Sequence, residues 1–166
     1  ETGTGFTSEA IPSYISVGQS GTILTSGDGT TWSSRTSSTS NILNEVTYGN
    51  STFVLVGTSG TIITSSDGIS WTSRTSGTSR SLEGITYGNS TFVVVGSETI
   101  LTSSDATTWT SRTSGTSKEL GRIIYANSTF VTVGDNGTIL TSSDGITWTS
   151  RTSGTSNRLR AVTFKE

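Results

Sequence analysis

The chain holds no histidine and no cysteine, so chemistry would rest on its acids, its ten basic side chains, its hydroxyls and four tyrosines. A hydroxyl or thiol nucleophile activated by histidine is therefore excluded. The thiolate and imidazole ligands of a zinc site are missing too. Two carboxylates about 5 Å or about 6.5–9.5 Å apart would still cleave a glycoside. The candidates are Glu45, Glu83 and Glu119, at three non-equivalent places of a repeating pattern. Asp135-Asn136-Gly137 reads as a hairpin turn rather than a calcium loop. Tyr14, Tyr48, Tyr87 and Tyr125 recur with the pattern and read as core. The expectation is a protein that is not an enzyme and has neither cofactor nor metal.

The pattern is a repeat. The stretch Thr61-Ile62-Ile63-Thr64-Ser65-Ser66-Asp67-Gly68-Ile69-Ser70-Trp71-Thr72-Ser73-Arg74-Thr75-Ser76-Gly77 recurs at 22–38, 99–115 and 138–154. Trp32, Trp71, Trp109 and Trp148 lie 39, 38 and 39 residues apart. A period of this size denotes a propeller, a solenoid or an array. Arg35, Arg74, Arg112 and Arg151 occupy one repeat position, and Asp28, Asp67, Asp105 and Asp144 another.

Subtracting these leaves charges that differ from copy to copy, and they gather around one constant leucine. Asn41, Ile42, Asn44 and Glu45 flank Leu43; Arg80, Ser81 and Glu83 flank Leu82. Lys118, Glu119 and Arg122 surround Leu120; Asn157, Arg158 and Arg160 surround Leu159. Variable polar groups on a constant frame mark a candidate binding surface.

Within each repeat, short runs of β-branched and aromatic residues alternate with Gly, Asn, Asp and Ser, as in an antiparallel meander. In one copy they are 43–48, 52–56, 61–65 and 71–76. The second is apolar from Phe53 to Val56 and should be covered on both faces. The fourth alternates Ser, Thr and Arg, which suits an exposed edge. Such a unit is a propeller blade. In that fold the connections around the constant leucines converge on one mouth of the central channel.

We expect an all-β propeller of four-stranded antiparallel blades in a single domain. Its units are 6–40, 41–79, 80–117 and 118–156, with a closing strand at 157–164. Residues 4–9 match the first strand of the repeat poorly, whereas Leu159, Val162, Thr163 and Phe164 match it well. Four blades closed by the C-terminal strand is the first expectation. The alternatives are donation of that strand to another chain, giving an eight-bladed pair or a filament, and a segment of a longer array.

At Ser65-Ser66-Asp67-Gly68-Ile69-Ser70-Trp71 the chain resembles the Asp-box, or BNR, repeats of sialidases, sortilin-type receptors and photosystem II assembly factors related to Ycf48. Asp and Trp stand one residue closer than in the usual pattern, and the third copy has Ala106 in place of glycine. The resemblance implies a propeller and a structural role for Asp28, Trp32, Asp67, Trp71, Asp105, Trp109, Asp144 and Trp148. Sialidase likeness would imply a Tyr nucleophile, an acid and an arginine triad facing one pocket, whereas here the tyrosines and the regular arginines Arg35, Arg74, Arg112 and Arg151 follow the repeat.

Composition narrows the partners. With a net charge of −2 there is no field to hold a nucleic acid. No run of about 18 apolar residues exists to insert in a membrane, and no signal-peptide pattern opens the chain. Asn50, Asn89, Asn127 and Asn136 begin glycosylation sequons, although Asn beside Gly or Ser is also ordinary turn chemistry. The reading is an extracellular or cell-surface module that binds a glycan or protein ligand at the mouth. Two alternatives stand beside it: a structural subunit that self-assembles through its terminal strand, and an assembly-factor-like scaffold for a partner protein.

Overall fold

The computed structural model describes residues 10–165. It is a β-propeller of four consecutive antiparallel blades. Blade 1 contains β1 (Tyr14–Val17), β2 (Ile23–Ser26) and β3 (Ser33–Arg35). Blade 2 contains β4 (Leu43–Gly49), β5 (Thr52–Gly57), β6 (Ile62–Ser65) and β7 (Thr72–Arg74). Blade 3 contains β8 (Leu82–Gly88), β9 (Thr91–Gly96), β10 (Thr99–Ser103) and β11 (Thr110–Arg112). Blade 4 contains β12 (Leu120–Ala126), β13 (Thr129–Gly134), β14 (Ile139–Ser142) and β15 (Thr149–Arg151). Each blade is a simple meander, every strand pairing with its neighbours in sequence.

Local chemistry sets these boundaries. The first hairpins turn on Asn50-Ser51, Asn89-Ser90 and Asn127-Ser128, all with positive φ, as a two-residue turn between twisted strands requires. The outer strands are shorter than their sequence run. Trp71 stands before β7, in the turn, where its ring packs on Phe53 at 6.4 Å.

The core lies between blades. Val54, Val56 and Ile62 of blade 2 pack with Leu82, Ile85, Phe92 and Leu101 of blade 3. Val93, Val95 and Ile100 of blade 3 pack with Leu120, Ile123, Phe130 and Leu140 of blade 4. Ile23 does the same against Leu43, Leu55 and Ile63. The second strand β5 is buried from Phe53 to Gly57, and its all-apolar run reflects cover on both faces. The outer strand β7 begins with two exposed polar residues. Each fully buried Phe, Ile or Leu contributes about 1.5–3 kcal/mol through removal of its apolar surface from water.

The innermost strands pack side by side, β4 on β8 and β8 on β12. Close approach there depends on glycine. A Cβ on Gly49 would lie 2.2 Å from Tyr87 Cγ, and one on Gly88 2.1 Å from Tyr125 Cγ. The third residue of this column is Ala126.

The C-terminal strand differs from its expectation. Among the described residues β1 pairs only with β2, so blade 1 has three strands. Residues 159–164 belong to no strand and are largely exposed, and β1 makes no packing on β12 comparable with that of successive blades. One physical reason is visible: the strand that would pair with this segment stands in the first blade, and the inner strands pack in the order β1, β4, β8 and β12. The expectation for residues 4–9 lies outside the described residues.

Candidate functional site: the inner-strand starts

Two sets of polar residues repeat around the molecule, and their roles differ. In the first, each repeat aspartate closes a turn. Asp67 Oδ1 accepts the N–H groups of Ile69 and Ser70 at 2.8 Å each and the Ser65 hydroxyl at 2.9 Å. Asp28, Asp105 and Asp144 do the same. These N–H donors hold the carboxyls well below the usual carboxylate range. Trp32 and Trp148 donate their indole N–H to Gly29 O and Gly145 O at 3.2 and 3.1 Å. The repeat arginines are likewise engaged, with Nε of Arg35, Arg74, Arg112 and Arg151 on threonine hydroxyls of the neighbouring strand at 2.8–2.9 Å. All four groups serve the blades.

The second set surrounds the constant leucines. A β-bulge follows Leu43, Leu82 and Leu120, so Asn44, Glu83 and Gly121 are the extra residues of β4, β8 and β12. The bulge re-aims the side chains that come after it on the strand. Glu45 on β4 and Arg122 on β12 then meet at 3.7 Å across the intervening strand. Gly84 makes this reach feasible, because it occupies the matching position of β8 and its missing Cβ would stand 3.3 Å from Arg122 Cα. Arg122 also donates to the carbonyl oxygens of Glu83 at 3.1 Å and Gly121 at 2.7 Å. Asn44 Nδ2 donates to Leu82 O at 2.8 Å. Burial raises the Glu45 carboxyl above its usual value, and the Arg122 charge opposes the shift.

The remaining candidates divide. Glu119 binds Arg158, which also reaches Asp135 at 3.3 Å. Arg80 pairs with Glu98 at 2.6 Å. Glu83 accepts the Ser81 hydroxyl at 2.5 Å. Asn41 is drawn away: its amide donates to Thr61 Oγ1 at 2.8 Å and it lines a hydroxyl-rich cleft of about 410 Å³ with Arg74 and Ser76. Among the described residues the side chains of Lys118 and Arg160 have no acidic partner. The lining is therefore of both signs and mostly neutralised, with two free cations. Asn50, Asn89 and Asn127 are exposed at their turns, where the Thr two residues on donates to the Asn carbonyl at 3.2–3.3 Å. Asn136 sits exposed in a 3-10 turn.

Gly84, Glu98 and Asp135 were missed from the sequence as site residues. Gly84 carried a signal, since a glycine between Glu45 and Arg122 in one repeat column removes the side chain that would stand between them. Glu98 and Asp135 lie in turns whose fold-back only the structure reveals.

No family model matches the chain, and no curated protein matches it. Solved structures do. YCF48 bound to D1 peptide aligns with a TM-score of 0.59 and 18% identity, over 84% of this chain and 49% of that one. YCF48 from Cyanidioschyzon merolae aligns with a TM-score of 0.55 and 18% identity, over 86% and 54%. The likeness is one of fold. The chain spans about half the length of these two propellers.

Proposed function

We propose that this propeller is a non-catalytic module that binds a segment of a partner protein across the starts of its inner strands. The observation that carries the reading is the row Glu45, Gly84 and Arg122, where the repeat columns differ and yet their side chains meet at 3.7 Å. Around it stand the carbonyl of Glu83, the Glu119–Arg158 pair and the two free cations Lys118 and Arg160. A surface of both signs suits an extended peptide, whose backbone and side chains supply donors, acceptors and charge. Support for a peptide over a sugar comes from the absence of any aromatic residue in this row, and from a propeller of the same fold having been solved with a peptide bound.

Catalysis has no support in this arrangement. Glu45, Glu83 and Glu119 are each engaged by an arginine or a hydroxyl.

The test is selection from a displayed peptide library, followed by affinity measurement with the Lys118→Ala/Arg160→Ala variant. Neither side chain supports the fold, so thermal unfolding should be unchanged. Two exposed charges at about 1 kcal/mol each predict a loss of roughly tenfold or more. Unchanged affinity, or ligands found on a glycan array alone, would overturn the peptide reading.

A further inference from the structure

Blades 2, 3 and 4 each contain the same three aromatic residues. Tyr48, Phe53 and Trp71 form the first set, with ring centroids 4.5 Å and 6.4 Å apart in sequence order. Tyr87, Phe92 and Trp109 repeat it at 4.6 and 6.4 Å, and Tyr125, Phe130 and Trp148 at 4.5 and 6.5 Å. Among the described residues blade 1 holds the second and third members. Tyr14 stands where the others have Phe, 6.5 Å from Trp32, and it is 51% exposed where Phe92 and Phe130 are fully buried. The first member would come from an innermost strand beside β1.

Residues 159–164 carry that member with no set to join. Phe164 ends the segment as Tyr48 ends its strand, and it is 50% exposed. The segment also starts as an inner strand does. Leu159 N–H donates to Gly134 O at 3.0 Å, as Leu43 N–H donates to Gly18 O at 2.9 Å. Gly137 N–H donates to Asn157 O at 2.8 Å, as Gly21 N–H does to Asn41 O.

We infer that residues 159–164 form the innermost strand of blade 1 in a second copy of this chain, and that two chains exchange these strands to close one ring. The register follows from β4 on β5, where Leu43 faces Gly57, Val46 faces Leu55 and Tyr48 faces Phe53. Leu159 then faces Gly18, Val162 faces Ser16 and Phe164 faces Tyr14 of the second copy. The new pairing satisfies the edge of β1 that has no partner among the described residues and rebuilds the fourth aromatic set. A second copy is favoured over self-closure because, among the described residues of one chain, β1 pairs only with β2 and the segment pairs with no strand. The exchange is isologous, each chain giving what it receives.

The experiment uses two single-cysteine forms of a chain that has no cysteine of its own, Ser16→Cys and Val162→Cys. Directly opposed residues of an antiparallel pair have Cβ atoms about 4.5–5.5 Å apart, close enough for a disulfide after small adjustment. Mixed and oxidised, the two proteins should give a covalent heterodimer, and the unmodified chain should scatter light as a particle of twice 17.3 kDa. Phe164→Ala, which touches no core in the single chain, should keep the fold and weaken the pair roughly a hundredfold. Absence of the mixed disulfide overturns the inference. So does a disulfide that forms only within the Ser16→Cys/Val162→Cys chain, a monomer at every concentration, or a mass that grows without limit.

Discussion

Substituting Gly88 by alanine tests the idea that glycine sets the spacing between blades. The added methyl would lie 2.1, 2.2 and 2.6 Å from Cγ, Cδ1 and Cβ of Tyr125. A rotamer change would move Cγ and Cδ1 but not Cβ, so turning the ring away from Phe130 clears only part of the overlap and β12 must also move off β8. Overpacking of this kind costs about 1–3 kcal/mol. Gly88 is not in the left-handed region, so alanine gains back roughly 0.4–1 kcal/mol by restricting the unfolded chain. The net expectation is a loss of about 1–2 kcal/mol, or a fall in Tm of about 2–8 °C for a chain of this size. Urea unfolding of the single variant and of the same change in a Tyr125→Ala background would separate the cause. Without the ring atoms the cost should shrink, leaving a coupling of about 1 kcal/mol between the two sites. A Gly88→Ala protein as stable as the parent, or an equal cost in both backgrounds, would refute the reasoning.

Two further outcomes concern the repeat turns. The indole N–H groups of Trp71 and Trp109 are buried without a hydrogen-bond partner, whereas that of Trp148 bonds Gly145 O. Trp71→Phe should therefore cost less than Trp148→Phe, by about 0.5–1.5 kcal/mol in chemical denaturation; the reverse order would refute this account of the indole N–H. The four turn aspartates have folded pKa values below their unfolded ones. The unfolded chain then binds protons first, so their stabilisation is complete above the unfolded value of about 3.9 and is lost as pH falls through the depressed folded values. An Asp67→Asn/Asp144→Asn variant should lose less stability between neutral pH and acid than the parent does, and an identical acid profile would contradict the assignment.

The blades were legible because their determinants are local. Alternating apolar residues, Asn-Ser turns and the Ser-x-Asp turn act within ten or so residues, so each copy states the same structure and four copies state it four times. Comparison of columns also found the variable positions around Leu43, Leu82, Leu120 and Leu159. It could not find which of them meet. Glu45 and Arg122 are 77 positions apart and are joined by an absence, the missing side chain of Gly84. Arg158 finds Asp135 through a turn, and Arg80 finds Glu98 through the one turn that is shorter than its equivalents. The same limit explains the C-terminal strand. Its pattern matches that of an inner strand, but a pattern carries no information on whether a partner lies within reach. Curvature decides that, and curvature is the sum of small rotations between blades. Each rotation is set by contacts such as Gly49 on Tyr87, and the column that repeats this contact ends in Ala126. A repeat sequence therefore specifies its blade closely and its ring only through the few positions where the repeat breaks, which are the positions where both the candidate site and the proposed exchange are found.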